Sequence, residues 1–163
     1  MKRIVMAVVI SAMMYAAAAV TLTSCTWMEN LLEEQLTDKS DEPKIPLDEV
    51  ISVGELASGD FAGDTVWIRG YIVGGLLSDG SIDFTCEEEV LGTAVILADE
   101  PDCEDPDDCM ILQLTKKAHK EALALTSASI RDKILHQGIY VQGKATTYKK
   151  HPALTNICAY KLE

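Results

Sequence analysis

The first 25 residues constrain the rest of the chain most, because their pattern predicts that they are not part of the folded domain. Lys2 and Arg3 precede a largely apolar run at residues 4–20, and small or polar residues then lead to Cys25. This order is typical of a secretory signal peptide. We therefore expect only residues 25–163 to remain, as one modest domain with a tether, in an exported protein.

The end of the segment resembles the lipobox of bacterial lipoproteins, and Leu22, Ser24 and Cys25 match that pattern. The resemblance implies that the Cys25 thiol is alkylated by a diacylglycerol and that cleavage removes residues 1–24. Each buried methylene adds about 0.8 kcal/mol of membrane affinity, so two or three chains anchor a protein firmly. We expect a lipid-anchored cell-envelope protein at the outer membrane, either periplasmic or surface-exposed. An uncleaved spanning helix is disfavoured, because the run is shorter than ~20 residues and lacks a charged stop.

The chain is strongly acidic. It has 14 lysine and arginine residues against 26 aspartate and glutamate residues, and loss of Lys2 and Arg3 lowers the formal charge from −12 to −14. Such a surface repels nucleic acids and anionic lipid headgroups. The composition therefore argues against nucleic acid as a partner.

Four cysteines remain once Cys25 is assigned to lipid, and an even number in an exported protein indicates disulfide bonds. Cys103 and Cys109 flank a short acidic loop, so we predict that they pair. That pairing leaves Cys86 to meet Cys158.

Residues 25–48 separate the cleavage site from the domain. Apolar residues recur at near-helical spacing in residues 26–37, which predicts a short amphipathic helix. Residues 38–48 contain two prolines and many charges, which favours an extended tether. The folded domain is predicted at residues 49–163.

Segments rich in β-branched and aromatic residues predict the strands of this domain. They lie at residues 65–73, 81–85, 93–98, 110–114, 139–147 and 156–162. A helical turn is expected near residues 47–56, and one helix at residues 116–125. A helix between strands three and four of a five-stranded antiparallel set is the order of the OB-fold. The predicted fold class is mainly β, a five-stranded OB-like Greek-key barrel preceded by a signal peptide and tether.

Two short motifs carry a more specific resemblance: GYIVG at residues 70–74, and Tyr148 followed by HPALTN at residues 151–156. With the strand residues 95–99 and 140–144, they resemble a secreted OB-fold-like domain of unknown function. That family recurs in lipoproteins and surface proteins of gut anaerobes of the Bacteroides type. The resemblance covers residues 50–162 and implies the fold, and the family carries no settled activity to transfer.

OB-folds that bind oligomers use the face of strands two and three, edged by the loops after strands one and four. These loops are predicted at residues 75–92 and 148–152. The second loop contains Tyr148, Lys149, Lys150 and His151, where an aromatic ring lies among basic groups. Rings stack on bases or sugars and cations hold anionic groups, so these four residues are the candidate ligand-binding site. The alternative is a solvated hairpin loop.

Other chemistry has weaker sequence support. The carboxylates of residues 99–109 could surround calcium, but their spacing is not that of an EF-hand, and a solvated charge run is the alternative. Zinc on Cys103, Cys109 and a histidine is disfavoured by the wide cysteine spacing. The histidines are scattered and no nucleophile-elbow sequence is present, so we predict no enzyme, no metal and no cofactor.

Trp67, Tyr71 and Val73 are separated by even numbers of positions in the predicted first strand, residues 65–73, so they share one side of the sheet. We expect all three to fill the barrel. The resulting expectation is a membrane-anchored lipoprotein with a non-catalytic OB-like binding or interaction module for a glycan, peptide or protein. A structural or accessory subunit of an envelope assembly is the alternative. Single-stranded nucleic-acid binding follows from fold analogy alone, and the charge opposes it.

Overall fold

The computed structural model describes residues 42–87 and 89–163. The predicted signal peptide, Cys25, the predicted helix at residues 26–37 and the first residues of the tether lie outside the described residues. Pro43–Glu163 form one compact unit. Within the described ranges, no helix is both long enough and apolar enough to cross a membrane.

Strands make up most of the regular structure in this unit, and its helices are short. The strands are β1 (Val50–Ile51), β2 (Thr65–Leu76), β3 (Ile82–Asp83), β4 (Ala94–Ala98), β5 (Cys109–Gln113), β6 (Gly138–Tyr148) and β7 (His151–Leu162). The α-helices are α1 (Val53–Ser58), α2 (Lys117–Leu123) and α3 (Ala128–Ile134), and a 3-10 helix (Pro106–Asp108) precedes β5.

Five of the strands close into a barrel. β2 pairs with β4, β4 with β5, β5 with β7 and β7 with β6, and β6 pairs back onto β2. All these pairs are antiparallel except β5 and β7, which are parallel at Ile111 and Leu112. This is a Greek-key barrel of the OB type, which confirms the mainly β, OB-like prediction. β1 and β3 are short additions along β2.

The barrel closes because β2 pairs with two different strands along its length. Residues 65–71 of β2 pair with β6, and residues 71–75 pair with β4, with a register shift between Ile72 and Gly74. A Cβ on Gly74 would lie 2.6 Å from the carbonyl oxygen of Asp83, and a Cβ on Gly75 would lie 2.6 Å from Val90 Cγ1. Only glycine lets these segments approach so closely at the bend.

Alternation along the strands produces two apolar clusters, one on each side of the barrel wall. The barrel core contains residues from all five barrel strands, including Ile68, Ile72, Val95, Leu97, Met110, Leu112, Ile139, Val141, Leu154 and Ile157. A second group, which we call the outer cluster, consists of Val73, Leu76, Ala94, Ile96, Ala98, Cys109, Ile111 and Ala153. The strands β4 and β5 are therefore apolar on both faces.

The prediction that Trp67, Tyr71 and Val73 fill the barrel is wrong. Ile68 and Ile72 occupy the barrel core, while Val73 belongs to the outer cluster and Tyr71 packs against it. Trp67 is buried but belongs to neither cluster. Alternation shows which residues share a face of a strand, but only the closed sheet decides which face is enclosed.

Two helices occupy the connection between β5 and β6, where the sequence predicted one. The predicted helix at residues 116–125 is α2, which ends earlier because Ala124 and Leu125 leave the helix and are buried in the core. The second helix, α3, buries only Ile134 fully. A seven-residue helix with one buried side chain leaves little helical periodicity in the sequence.

Gly74→Ala tests the close approach at the bend of β2. We expect it to destabilise the domain by about 1–3 kcal/mol, because the new methyl group would overlap the backbone of residues 83 and 84. Urea unfolding of the domain of Pro43–Glu163 measures the loss of stability. Gly92→Ala is the matched control, since its Cβ would meet only side-chain atoms, Thr126 Cγ2 at 3.3 Å and Ala124 Cβ at 4.0 Å. Equal unfolding midpoints for the two variants would contradict this account of the bend.

Candidate functional site

The candidate ligand-binding residues form the tip of the β6–β7 hairpin. Tyr148 pairs with His151, and Lys149 and Lys150 form the two-residue turn between them. Their φ angles are 49° and 75°, as a type I′ turn requires. Asparagine and glycine are the usual residues of such a turn, so two lysines here carry some local strain. The turn is therefore tighter than the five-residue loop that the sequence predicted.

One side of the hairpin tip contacts the β2–β3 turn at residues 77–81. Tyr148 is half-buried against the outer cluster, and Lys149 Nζ lies 6.0 Å from its ring centroid. The same Nζ lies 3.5 Å from the carbonyl oxygen of Ser78. Hydrogen bonds from Ser81 and the nearby charge of Lys149 lower the pKa of Asp79. These contacts join the two loops that edge the β4–β5 face.

The other side of the hairpin tip faces a groove of about 220 Å³, which we call the Lys150 groove. Lys150 and Thr147 line this groove, together with Asp60 and Phe61 from the connection between α1 and β2. Lys149 and Lys150 therefore lie on different sides of the hairpin. The structure brings the four predicted residues together along the chain but divides them between two surfaces. Sequence reasoning missed Phe61, which has no neighbouring motif.

A larger cleft, the acidic cleft, lies between α1 and the loop from β4 to β5. It has a volume of about 620 Å³ and is lined by Gly54, Ala57, Ser58, Asp99, Glu100, Cys103, Glu104, Asp105, Asp107 and Asp108. Asp99 holds the two walls together, because its carboxylate accepts hydrogen bonds from Val53 N (2.7 Å) and Gly54 N (2.9 Å). A negative charge at the start of α1 also complements the helix dipole.

The predicted calcium loop forms one wall of the acidic cleft. Asp105 caps the 3-10 helix by accepting a hydrogen bond from Asp107 N at 3.0 Å. Among residues 42–87 and 89–163, no three or more histidine, cysteine, aspartate or glutamate side chains group closely enough to hold a metal ion. The carboxylates of this loop are mostly exposed, which suits the solvated charge run that was the alternative.

Cys86, Cys103, Cys109 and Cys158 are present as thiols in the structure, and the two disulfide bonds stay predictions. Cys103 Sγ and Cys109 Sγ are 4.0 Å apart. Cys86 lies in the barrel core, whereas Cys158 is exposed on β7. The first pair is close enough to bond after small side-chain rotations, and the second pair is on opposite sides of the barrel wall.

The three histidines lie on separate elements and contact different groups. His119 on α2 makes an edge contact with the Tyr160 ring at 5.7 Å, and burial followed by the charge of Lys116 lowers its pKa. His136, which follows α3, lies with Nδ1 2.7 Å from the carbonyl oxygen of Pro101. His151 is in the hairpin tip. The structure does not bring these rings together.

An ion-pair network missed by sequence reasoning lies on the outside of β2. Arg69 donates to Glu163 through Nε (3.1 Å) and Nη2 (2.8 Å), and Nη2 also donates to the Tyr71 hydroxyl at 3.0 Å. These hydrogen bonds raise the pKa of Arg69, and the bond from Arg69 lowers that of Glu163. Arg69 also lines a groove of about 410 Å³ beside Leu47, which is 70% exposed.

The fold and these surfaces define a class: a small OB-like barrel that presents two loops, a groove and an acidic cleft. Within that class, the chain belongs to the family described as a domain of unknown function (DUF6359), whose sequence profile matches residues 51–163. This confirms the resemblance to a domain of unknown function. No curated protein matches the chain in sequence.

The solved structures that are similar to the chain include the following two. The telomere capping protein Ten1 from Saccharomyces pombe is 11% identical, with 68% of this chain and 79% of that chain covered and a TM-score of 0.33. A putative aspartyl-tRNA synthetase from Leishmania major Friedlin is 13% identical, with 84% of this chain and 26% of that chain covered and a TM-score of 0.40. Similarity at this level carries no conclusion about the function of this chain.

The Arg69–Glu163 pair makes stability depend on pH in a defined direction. The pKa of Glu163 is lowered from its ordinary value of 4.5, so its contribution is present above that value and is lost as the pH falls through the lowered one. Glu163→Gln should therefore cost about 0.5 kcal/mol at neutral pH, a small figure because both side chains are partly exposed. The cost should vanish in acid.

Urea unfolding across a pH series measures this difference. Glu121→Gln is the matched control, because the Lys117–Glu121 pair is longer, at 3.5 Å, and far more exposed. We expect a smaller effect from the control at every pH. A cost for Glu163→Gln that stays constant down to strongly acidic pH would show that the ion pair is not its source.

Proposed function

We propose that this chain is an exported lipoprotein, anchored through Cys25, whose OB-like barrel is a non-catalytic binding module. Its ligand would be a glycan, a peptide or a protein that contacts the hairpin tip. The Lys150 groove is the observation that carries this proposal. There an aromatic ring, a hydroxyl group and an exposed ammonium group, from Phe61, Thr147 and Lys150, line one concave surface.

The position of the hairpin tip in the barrel supports the proposal. OB-folds take their ligands where the loops after the first and fourth barrel strands edge the face of the second and third. In this chain those loops are residues 77–93 and the hairpin tip, and Lys149 joins them. The β4–β5 face between them is already buried in the outer cluster. A ligand would therefore contact the exposed side of the tip, at Lys150.

The charge distribution supports a ligand other than nucleic acid. The two adjacent lysines of the hairpin tip are exposed in a chain with a formal charge of −12. A long polyanion would meet repulsion over most of the remaining surface. A ligand with hydroxyl groups, or with a single carboxylate that lies closer to Lys150 than to Asp60 of the same groove, would pair with Lys150 without that long-range repulsion.

Lys150→Ala should weaken binding of such a ligand, while Lys149→Ala should leave it unchanged, because Lys149 faces the β2–β3 turn. A thermal-shift screen of the soluble domain against glycans, peptides and oligonucleotides identifies the ligand class. A ligand at a hundred times its Kd stabilises by about 2.7 kcal/mol, which such a screen detects.

Lys133→Ala, an exposed lysine on α3, is the control for a general loss of positive charge. Equal weakening by Lys133→Ala and Lys150→Ala would contradict the placement of the site. No shift with any ligand would instead favour the subunit of an envelope assembly, for which capture of partners from envelope extracts is the test.

Cys25→Ser tests the proposed anchor separately in the full-length chain. The serine hydroxyl cannot take the thioether-linked lipid, so we expect the variant to move from the membrane fraction to the soluble fraction and to keep its signal peptide. Fractionation and intact mass measure both effects. Cys158→Ser changes an exposed cysteine of the barrel and is the control, which should remain membrane-bound with the lipid mass. Membrane retention of processed Cys25→Ser would contradict anchoring at this residue.

A further inference from the structure

The four cysteines of the described residues differ in their surroundings. Cys103 Sγ and Cys109 Sγ are 4.0 Å apart, and both point at the carbonyl oxygen of Asp105, at 3.7 Å and 3.2 Å. The 3-10 helix Pro106–Asp108 folds the chain back between them, and Asp108 N donates to Asp105 O at 3.2 Å. The backbone already holds the two sulfur atoms on the same side of a tight turn.

The other two cysteines have no such arrangement. Cys86 is fully buried in the barrel core, and Arg131 donates to its carbonyl oxygen at 2.5 Å. Cys158 is exposed, whereas its chain neighbour Ile157 is buried in the core. A bond between Cys86 and Cys158 would have to cross the wall of the barrel, which disulfide geometry does not allow without backbone movement.

We infer that Cys103 and Cys109 form a redox-sensitive clip on the wall of the acidic cleft, while Cys86 and Cys158 remain thiols. The clip joins Cys103, which lines the cleft, to the first residue of β5, which is fixed in the outer cluster. Its closure fastens the acidic loop to the barrel. Its reduction removes this covalent restraint from the residues between the two cysteines, so the mobility of the cleft wall depends on the redox state.

The clip closes by thiol–disulfide exchange with an external disulfide. The half-exposed Cys103 attacks first, because Cys109 is buried and burial, followed by the nearby Cys103, raises the pKa of the Cys109 thiol to about 12. The Cys103 thiolate displaces one thiolate from the external disulfide and forms a mixed disulfide. The Cys109 thiolate then attacks the Cys103 sulfur and displaces the second. Two protein thiols are oxidised, and the external disulfide is reduced to two thiols that take up the protons.

The surrounding carboxylates determine which disulfide reacts fastest. Glu104, Asp105, Asp107 and Asp108 lie beside the two thiols and line the same cleft. They attract a cationic disulfide and repel an anionic one. We therefore expect cystamine to close the clip several-fold faster than oxidised glutathione at low salt, and added salt to reduce the difference.

Peptide mapping tests the inference on the purified domain after oxidation. A protease that cleaves after glutamate, but not before proline, places Cys103 in residues 90–104 and Cys109 in residues 105–121. We expect these two peptides to be joined, and to separate on reduction. Cys86 and Cys158 should both be recovered as alkylated thiols, with Cys86 protected from alkylation until the protein is unfolded.

Two variants separate the clip from the other thiols. Cys103→Ser changes a half-exposed side chain, and it should abolish the linked peptide and increase cleavage after Glu104 several-fold in the oxidised protein. Cys158→Ser should leave both the linked peptide and that cleavage rate unchanged. A Cys86–Cys158 linked peptide, or four alkylated thiols after oxidation, would overturn the inference. Equal cleavage rates for the oxidised and reduced chain would overturn the redox control of the cleft.

Discussion

The double pairing of β2 is the constraint on which the rest of the structure depends. One continuous strand pairs with β6 over its first half and with β4 over its second, and this sharing converts a sheet into a closed barrel. The bend lies where Gly74 and Gly75 leave room for the loop that follows β3. A side chain at either position would push that loop away from the wall. The enclosed core and the positions of both ligand-edging loops follow from this bend.

Closure gives the barrel wall two apolar faces with different consequences. The inner face supplies the core, with Ile68, Leu97 and Leu112 among its buried residues. The outer face of β4 and β5 is equally apolar, so the surface that OB-folds use for ligands is covered in this chain by its own side chains. Tyr148, Ile82 and Phe84 pack against this outer cluster. The exposed polar side chains lie instead at the ends of the loops, where the Lys150 groove and the acidic cleft are found.

Charge divides those two surfaces. The lining of the Lys150 groove includes both Lys150 and Asp60, whereas the acidic cleft is lined by carboxylates and by no lysine or arginine. Helix α1 contributes to both surfaces, because Ala57 lines each of them and Ser58 lines the acidic cleft. The carboxylates of the cleft repel polyanions from that surface.

The sequence by itself determined the positions of most strands, the acidic character of the chain and the family to which the domain belongs. Local periodicity and β-branched composition placed β2, β4, β5 and β6 within a few residues, because these signals depend only on neighbours along the chain. The close approach of Cys103 and Cys109 was also accessible, since a short loop joins them.

Only the tertiary structure decided which face of each strand is enclosed, how far β7 extends and which side chains meet. Period-two alternation is symmetric, so it could not show that Ile72 and not Tyr71 enters the core. The pairing of Arg69 with Glu163, 94 positions apart, and the placement of Phe61 and Lys150 in one groove depend on the closed barrel. Contacts of this kind have no local signal, because they are set by strand register and by the bend in β2.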